Sequence, residues 1–283
     1  MKSHMLWNVL CIELRKALRS KPFWMALAIG MLFSALDLLE QYHNIRQAME
    51  SIFELRELGM DIYLGYSMFL SWIGVGGSYG KALLYSVWPA IAAMAFGWSY
   101  NSERFNGVYN QIAVRTGVKR YFIAKHTAVF ISGGLAFALP VVINLLIMPL
   151  IWPVGASGCL QNTSFLCWLD HSHPWLFCFV QCGVLFLLGG AAACMCHVAG
   201  TYLRHGVMVV LTPYAILIAI EVVVAMLREN GVKLFLRYGL SPYLMVHPGA
   251  VTSPGWILLA TLVLMIFGSY AIGYWQVKRN ELV

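Results

Sequence analysis

Charge is scarce in this chain. Asp, Glu, Lys and Arg make up 11% of its 283 residues, where a soluble domain usually carries about 25%. Apolar side chains supply 60%, and mean hydropathy is +0.72. That much apolar surface cannot be hidden in one water-soluble core, so most soluble enzyme classes are excluded. A working phosphate loop is also missing. The segment Gly74-Val75-Gly76-Gly77-Ser78-Tyr79-Gly80-Lys81-Ala82 looks like one. However, Val75 stands where the first glycine is required, Ala82 stands where magnesium needs a hydroxyl, and no strand precedes it. The segment reads as a close-packed interfacial turn, and the chain is expected to bind no ATP itself. There is no strong internal repeat, no low-complexity tract and no cleavable leader pattern, since the first apolar core begins only after about 20 residues. Metal spacing is absent too. Cys194-Met195-Cys196-His197 has one residue between its cysteines rather than the two of haem attachment. Cys178 and Cys182 lie one turn apart, and cysteine is a common small apolar residue in helices. No metal or cofactor is expected on this chain.

What the chain has in abundance is long apolar runs. Six of them span Phe23–Leu39, Leu83–Tyr100, Thr127–Trp152, Trp175–Tyr202, Val207–Leu227 and Trp256–Trp275. A hydrocarbon layer of about 30 Å takes about 20 helical residues to cross. The first run is short, and Asp37 interrupts its outer end. Trp24, Trp98, Tyr100, Trp152, Trp175, Tyr202, Trp256 and Trp275 sit near run ends, where interfacial aromatics gather. The expected fold is an all-α membrane protein with six transmembrane helices.

The basic residues set an orientation. Lys2, Arg15, Lys16, Arg19 and Lys21 precede the first run. Arg104, Arg115, Lys119, Arg120 and Lys125 follow the second, Arg204 follows the fourth, and Lys278 and Arg279 close the chain. The alternate loops hold most of the acids. The positive-inside rule then puts both termini in the cytoplasm of a multi-pass cell-membrane protein. Topology accounts for the net charge of +7, and no nucleic-acid partner is called for. Residues 1–22 read as an amphipathic interfacial helix, with Trp7, Leu10, Leu14, Ala17 and Leu18 on one side. Residues 23–283 form the six-span domain. Its outer loop, 40–81, opens with an amphipathic helix over Gln41–Leu58. The last outer loop holds a short amphipathic candidate at Val232–Tyr238.

Polar groups inside the runs are candidate path-lining residues. Glu221 is the main one, because an ionised group at membrane depth costs at least about 2.5–3.5 kcal/mol unless it finds a partner or a polar cavity. Asn144 and Gln181 are milder cases that also serve as glue between helices. Gly189-Gly190-Ala191-Ala192-Ala193 suits close helix packing. Pro140, Pro149 and Pro213 can kink their helices. Cys159 and Cys167 share an outer loop on the oxidising side and are candidates for a disulfide. Asn162-Thr163-Ser164 in the same loop fits a glycosylation acceptor.

The loop 101–126 carries the most specific local sequence: Ser102-Glu103-Arg104-Phe105-Asn106-Gly107-Val108, then Arg115-Thr116-Gly117-Val118-Lys119-Arg120-Tyr121, then Lys125. It resembles the loop between the second and third spans of ABC-2 type permeases, the membrane subunits of one class of ATP-binding-cassette exporters. Glu103, Gly107, Lys119-Arg120 and Lys125 match the familiar pattern. Val108 replaces a Thr, and Thr116-Gly117 stands where a Pro is common. The resemblance implies a coupling helix that docks on a cytoplasmic ATPase subunit, with Glu103, Arg104, Gly107 and Arg115 as coupling residues. It also implies a second permease, identical or related, with ATP and magnesium bound by the ATPase. The cargo it implies is a peptide, lipid, glycan or drug. Two other classes stay open: a proton-driven secondary transporter, and an intramembrane enzyme.

Overall fold

The computed structural model describes residues 2–57, 67–74, 77–155, 166–231, 241–247 and 255–281. Cys159, the Asn162 acceptor and the Val232–Tyr238 candidate lie outside them. Among the described residues the chain is helical, without strands. The helices are α1 (Lys2–Arg19), α2 (Lys21–Glu57), α3 (Met68–Ile73), α4 (Tyr79–Phe96), α5 (Ser99–Phe105), α6 (Val108–Thr116), α7 (Val118–Ile147), α8 (Cys167–Ser172), α9 (Pro174–Tyr202), α10 (Gly206–Glu229) and α11 (Gly255–Glu281). Six helical segments are long and apolar enough to cross a membrane: Lys21–Glu57, Tyr79–Phe105, Val118–Leu150, Pro174–Tyr202, Gly206–Glu229 and Gly255–Arg279.

The first span is not short. α2 runs 37 residues without a break, about 55 Å at 1.5 Å per residue. The expected separate helix over Gln41–Leu58 is its continuation. No Gly or Pro lies between Leu39 and Glu57 to stop it, and the apolar pattern stays helical throughout. Its far end therefore stands well beyond a hydrocarbon layer about 30 Å thick.

α7 and α9 form the centre. They approach closely because small residues face each other: a Cβ built on Gly133 would come within 2.3 Å of the Ala193 side chain, and one on Gly189 within 3.1 Å of the Gly133 carbonyl. This is the close packing expected of the Gly189–Ala193 stretch. α4 lies against α2, α7 and α9, and the core between them is built on Trp72, Tyr85, Trp88, Phe137 and Phe177. α3 is inserted rather than draped: Met68, Phe69 and Trp72 are buried. Ser67 caps its N-terminus, and Gly74, at φ 93°, ends it in the left-handed region.

α10 and α11 expose large apolar side chains outward, among them Val207, Met208, Leu264 and Phe267. An apolar face this extensive suits lipid rather than water. The contacts also define two ends of the bundle. α1, α5, α6, the start of α7 and the end of α11 meet at one end, where Lys125 bonds Glu13 and Lys119 lies over the Tyr274 ring. α3, α8 and the turn at Met148–Leu150 gather at the other, where Phe69 meets Trp175 and the Met68 amide bonds the Pro153 carbonyl.

Candidate functional site

Buried charge gathers in two places, one toward each end of the bundle. The first is built on Glu103. The turn after α4 carries the chain into α5, and Glu103 sits in α5 at 6% exposure. Its carboxylate accepts hydrogen bonds from Lys16 and Tyr121 and forms an ion pair with Lys125 at 2.9 Å. Lys125 also donates to Glu13 at 2.7 Å, and its ammonium lies 4.5 Å from the Phe96 ring centre. Local periodicity explains the convergence. Tyr121 and Lys125 are one turn apart on α7, and Glu13 and Lys16 are neighbours on one face of α1. Two carboxylates and two ammonium groups thus form a neutral knot tying α1, α5 and α7 together. Lys16 is half exposed; burial, helped by the Lys125 charge, lowers its pKa, while Glu13 opposes that shift.

Each residue expected to couple has a definite place. Glu103 pairs with side chains of α1 and α7. Arg104 donates to the Thr201 carbonyl at 2.6 Å, fastening α5 to the end of α9. Arg115 is exposed on α6. Gly107 lies in open space at φ 71°. It is needed for a tight turn in the left-handed region, and the alternative of a close approach is ruled out by the empty surroundings. Phe105, Val108 and Val114 project outward from α5 and α6, Val114 at 88% exposure.

α1 packs against α7. Glu13 and Ala17 face the bundle, whereas Trp7 and Ile12 are turned outward. Glu13, Lys16 and Tyr121 were not among the expected site residues. The available signal for Glu13 was an acid inside the apolar stripe of an otherwise basic helix, one turn before Ala17.

The second cluster lies between α2, α4 and α7. Asp37 is fully buried, and its Oδ2 lies 3.6 Å from the Lys81 ammonium. Asn144 Nδ2 donates to Asp37 Oδ2 at 2.8 Å and to the Ser34 carbonyl at 3.3 Å. Lys81 donates to the Ser71 carbonyl at 3.3 Å and to the Trp72 carbonyl, so it holds the end of α3. Gly80 makes this geometry available: a Cβ there would stand 2.3 Å from the Asp37 backbone nitrogen, so α4 can lie directly on α2. Glu40 completes the junction by accepting from Ser78 Oγ at 3.0 Å and the Tyr79 amide at 2.8 Å. Further along, Ser34 bonds the Pro140 carbonyl at 3.0 Å and Trp152 bonds Gln41 at 3.2 Å.

This arrangement revises the reading of the polar span residues. Asp37, unlike the part-exposed Glu221, is fully buried, and it is no mere interruption at a span end. Glu221 sits part-exposed on α10 with one carboxylate oxygen buried and unpartnered. Asn144 belongs to the Asp37 cluster. Gln181 is buried on α9 and does not line the void beside that cluster. Cys167 opens α8, but its expected disulfide partner, Cys159, lies outside the described residues. His126 and His197 are buried with ring centres 5.5 Å apart, among Tyr100, Phe122 and Tyr270.

No family model matches the chain, and no curated protein is significantly similar to it.

Proposed function

We propose that this chain is the permease subunit of an ABC-2 type exporter in the cell membrane, with both termini cytoplasmic. It pairs with a second permease and with cytoplasmic ATPase subunits that bind ATP and magnesium. Cargo of the peptide, lipid, glycan or drug class passes between the permeases. The observation that carries this reading is the construction of α5 and α6. Their root, Glu103, is locked to α1 and α7 by ion pairs, while Phe105, Val108 and Val114 are offered outward from this short pair of helices. A push on that exposed apolar face would be delivered to the third span through Lys125 and Tyr121.

The test uses the exposed face, because Glu103→Ala would strand Lys16 and Lys125 and confuse folding with coupling. Phe105→Asp and Val114→Asp should leave abundance at wild-type level. They should abolish co-purification of an ATPase encoded beside the permease, and with it ATP-dependent transport. Wild-type capture and transport in both variants would sink the reading.

One observation favours a second reading, a proton-driven transporter: the Asp37–Lys81 pair is buried within the spans, where ionisable groups mark ion pathways. Transport that collapses with the proton gradient and ignores the ATPase would select it.

A further inference from the structure

The Asp37 cluster contains an unmatched set of hydrogen-bonding groups. Asp37 Oδ1 and Asn144 Oδ1 are buried and have no hydrogen-bond partner. The assignment of the Asn144 amide is fixed by its nitrogen, which donates to both Asp37 Oδ2 and the Ser34 carbonyl. Lys81 has three N–H groups. Two are used by the Ser71 and Trp72 carbonyls. Its contact with Asp37 Oδ2, at 3.6 Å, is an ion pair beyond hydrogen-bond length. One donor and two acceptors are therefore left over. The residues that carry them line a single void with room for a water-sized centre, about 10 Å³, walled by Ser34, Leu84, Tyr85 and Val141.

We propose that this void is a hydration site holding one water molecule within the spans. Water is the species that fits the count: it accepts one hydrogen bond, from Lys81, and donates two, to Asp37 Oδ1 and Asn144 Oδ1. Buried waters typically make about three such bonds and need two to four polar partners. Leaving the groups unmatched would carry the full desolvation penalty of each. A metal cation is disfavoured, because Asp37 and Lys81 already cancel and a third charge would stand unbalanced beside an ammonium. The water turns a loose ion pair into a bonded one. It thereby stiffens the hold of Lys81 on the end of α3. The site requires no ATPase and no cargo, so it stands or falls separately from the transport reading.

Two measurements decide it, both on the full chain in detergent or nanodiscs. The first is an experimental map fine enough to show ordered water. A peak within hydrogen-bond distance of Lys81 Nζ, Asp37 Oδ1 and Asn144 Oδ1 is expected. An empty void, or the ammonium itself seated there, would overturn the proposal. The second is a sign test with Val141→Ile, which adds one carbon at the wall of the void and alters no polar group. A wet site loses its water and strands three groups, so Tm falls by several degrees. A dry void is simply filled, so Tm holds or rises, which also overturns it. Should Tm of Val141→Ile fall through overpacking alone, the wild-type map decides, and an empty void there overturns the proposal.

Discussion

Replacing Lys125 with methionine tests the knot at the Glu103 end most directly. Lys125 is fully buried and is the cation shared by two buried carboxylates, Glu13 at 2.7 Å and Glu103 at 2.9 Å. Methionine keeps most of the stem and its packing against Phe96, so the loss is almost entirely electrostatic. Removing one partner of a buried pair costs about 3–5 kcal/mol, because the partner's charge stays behind. Here two carboxylates would be left sharing Lys16. Lys16 is itself 46% exposed in its side chain, and pairs that open to solvent contribute only about 0–1 kcal/mol. Lys16→Met should therefore cost a small fraction of what Lys125→Met costs. A double variant, Glu13→Gln with Lys125→Met, restores the balance of one carboxylate to one ammonium, and should show a favourable coupling of about 1–3 kcal/mol. Reversible unfolding in mixed micelles supplies all the free energies. Equal losses for the two lysines, within about 0.5 kcal/mol, or strictly additive effects in the double variant, would refute a buried shared cation.

Three further expectations follow from particular residues. A membrane-impermeant thiol reagent applied to intact cells should label a cysteine placed at Met49, on the projecting end of α2, and miss one placed at Val114; labelling of both would overturn the assigned orientation. If Cys159 and Cys167 are bridged, the unreduced, unfolded protein should titrate five thiols of its seven cysteines, and a count of seven would exclude the bridge. Burial lowers the pKa of His247, whose ring meets Tyr85 edge-on at 4.9 Å. The unfolded chain then binds this proton more readily, so stability rises with pH up to about 6.5 and is lost below it. His247→Phe should flatten that acid limb relative to wild type, and an unchanged slope between pH 5 and 7 would reject the assignment.

The six spans were legible because length and composition alone decide them; five of the six apolar runs fall inside a helical segment long enough to cross, and the third overruns its segment by two residues. Orientation along the helices was partly legible, and Asn144 was singled out because an amide inside an apolar run needs a partner. Its partner was not, since Asp37, Lys81 and Asn144 are far apart in the chain and meet only after α2, α4 and α7 pack. Asp37 looked like a span end because Glu40 and Gln41 follow so closely. The missing breaker after Leu39 was the evidence for a longer helix. Lys81 was hidden in a glycine-rich segment whose phosphate-loop likeness, once dismissed, left it without a role. Glu103 and Lys125 were marked only by the ABC-2 resemblance. Charge reading alone treats them as members of a basic loop, and cannot reveal that a second acid, Glu13, arrives from the other side.

α7 joins the two clusters. It carries Tyr121 and Lys125 near its start and Asn144 near its end, 19 positions after Lys125, or about 28 Å of helix. That is nearly the thickness of the hydrocarbon layer. A single helical strut would therefore link the root of α5 to the inserted helix α3, through Lys125 at one end and the Asn144–Asp37–Lys81 chain at the other. If the strut acts only as scaffold, damage at its two ends is independent, because sites this distant add within about 0.3–0.5 kcal/mol. If it transmits movement, transport depends on both ends being clamped at once, so losing either already removes the stroke. We expect stability and transport to part company in the cycle formed by Lys125→Met and Asn144→Leu. Unfolding free energies should add within about 0.5 kcal/mol. Transport rates should not multiply: the double variant should be scarcely slower than the worse single one. Independent, multiplicative losses in transport would show that the two clusters serve separate ends, and that α7 is a wall of the bundle rather than its connecting rod.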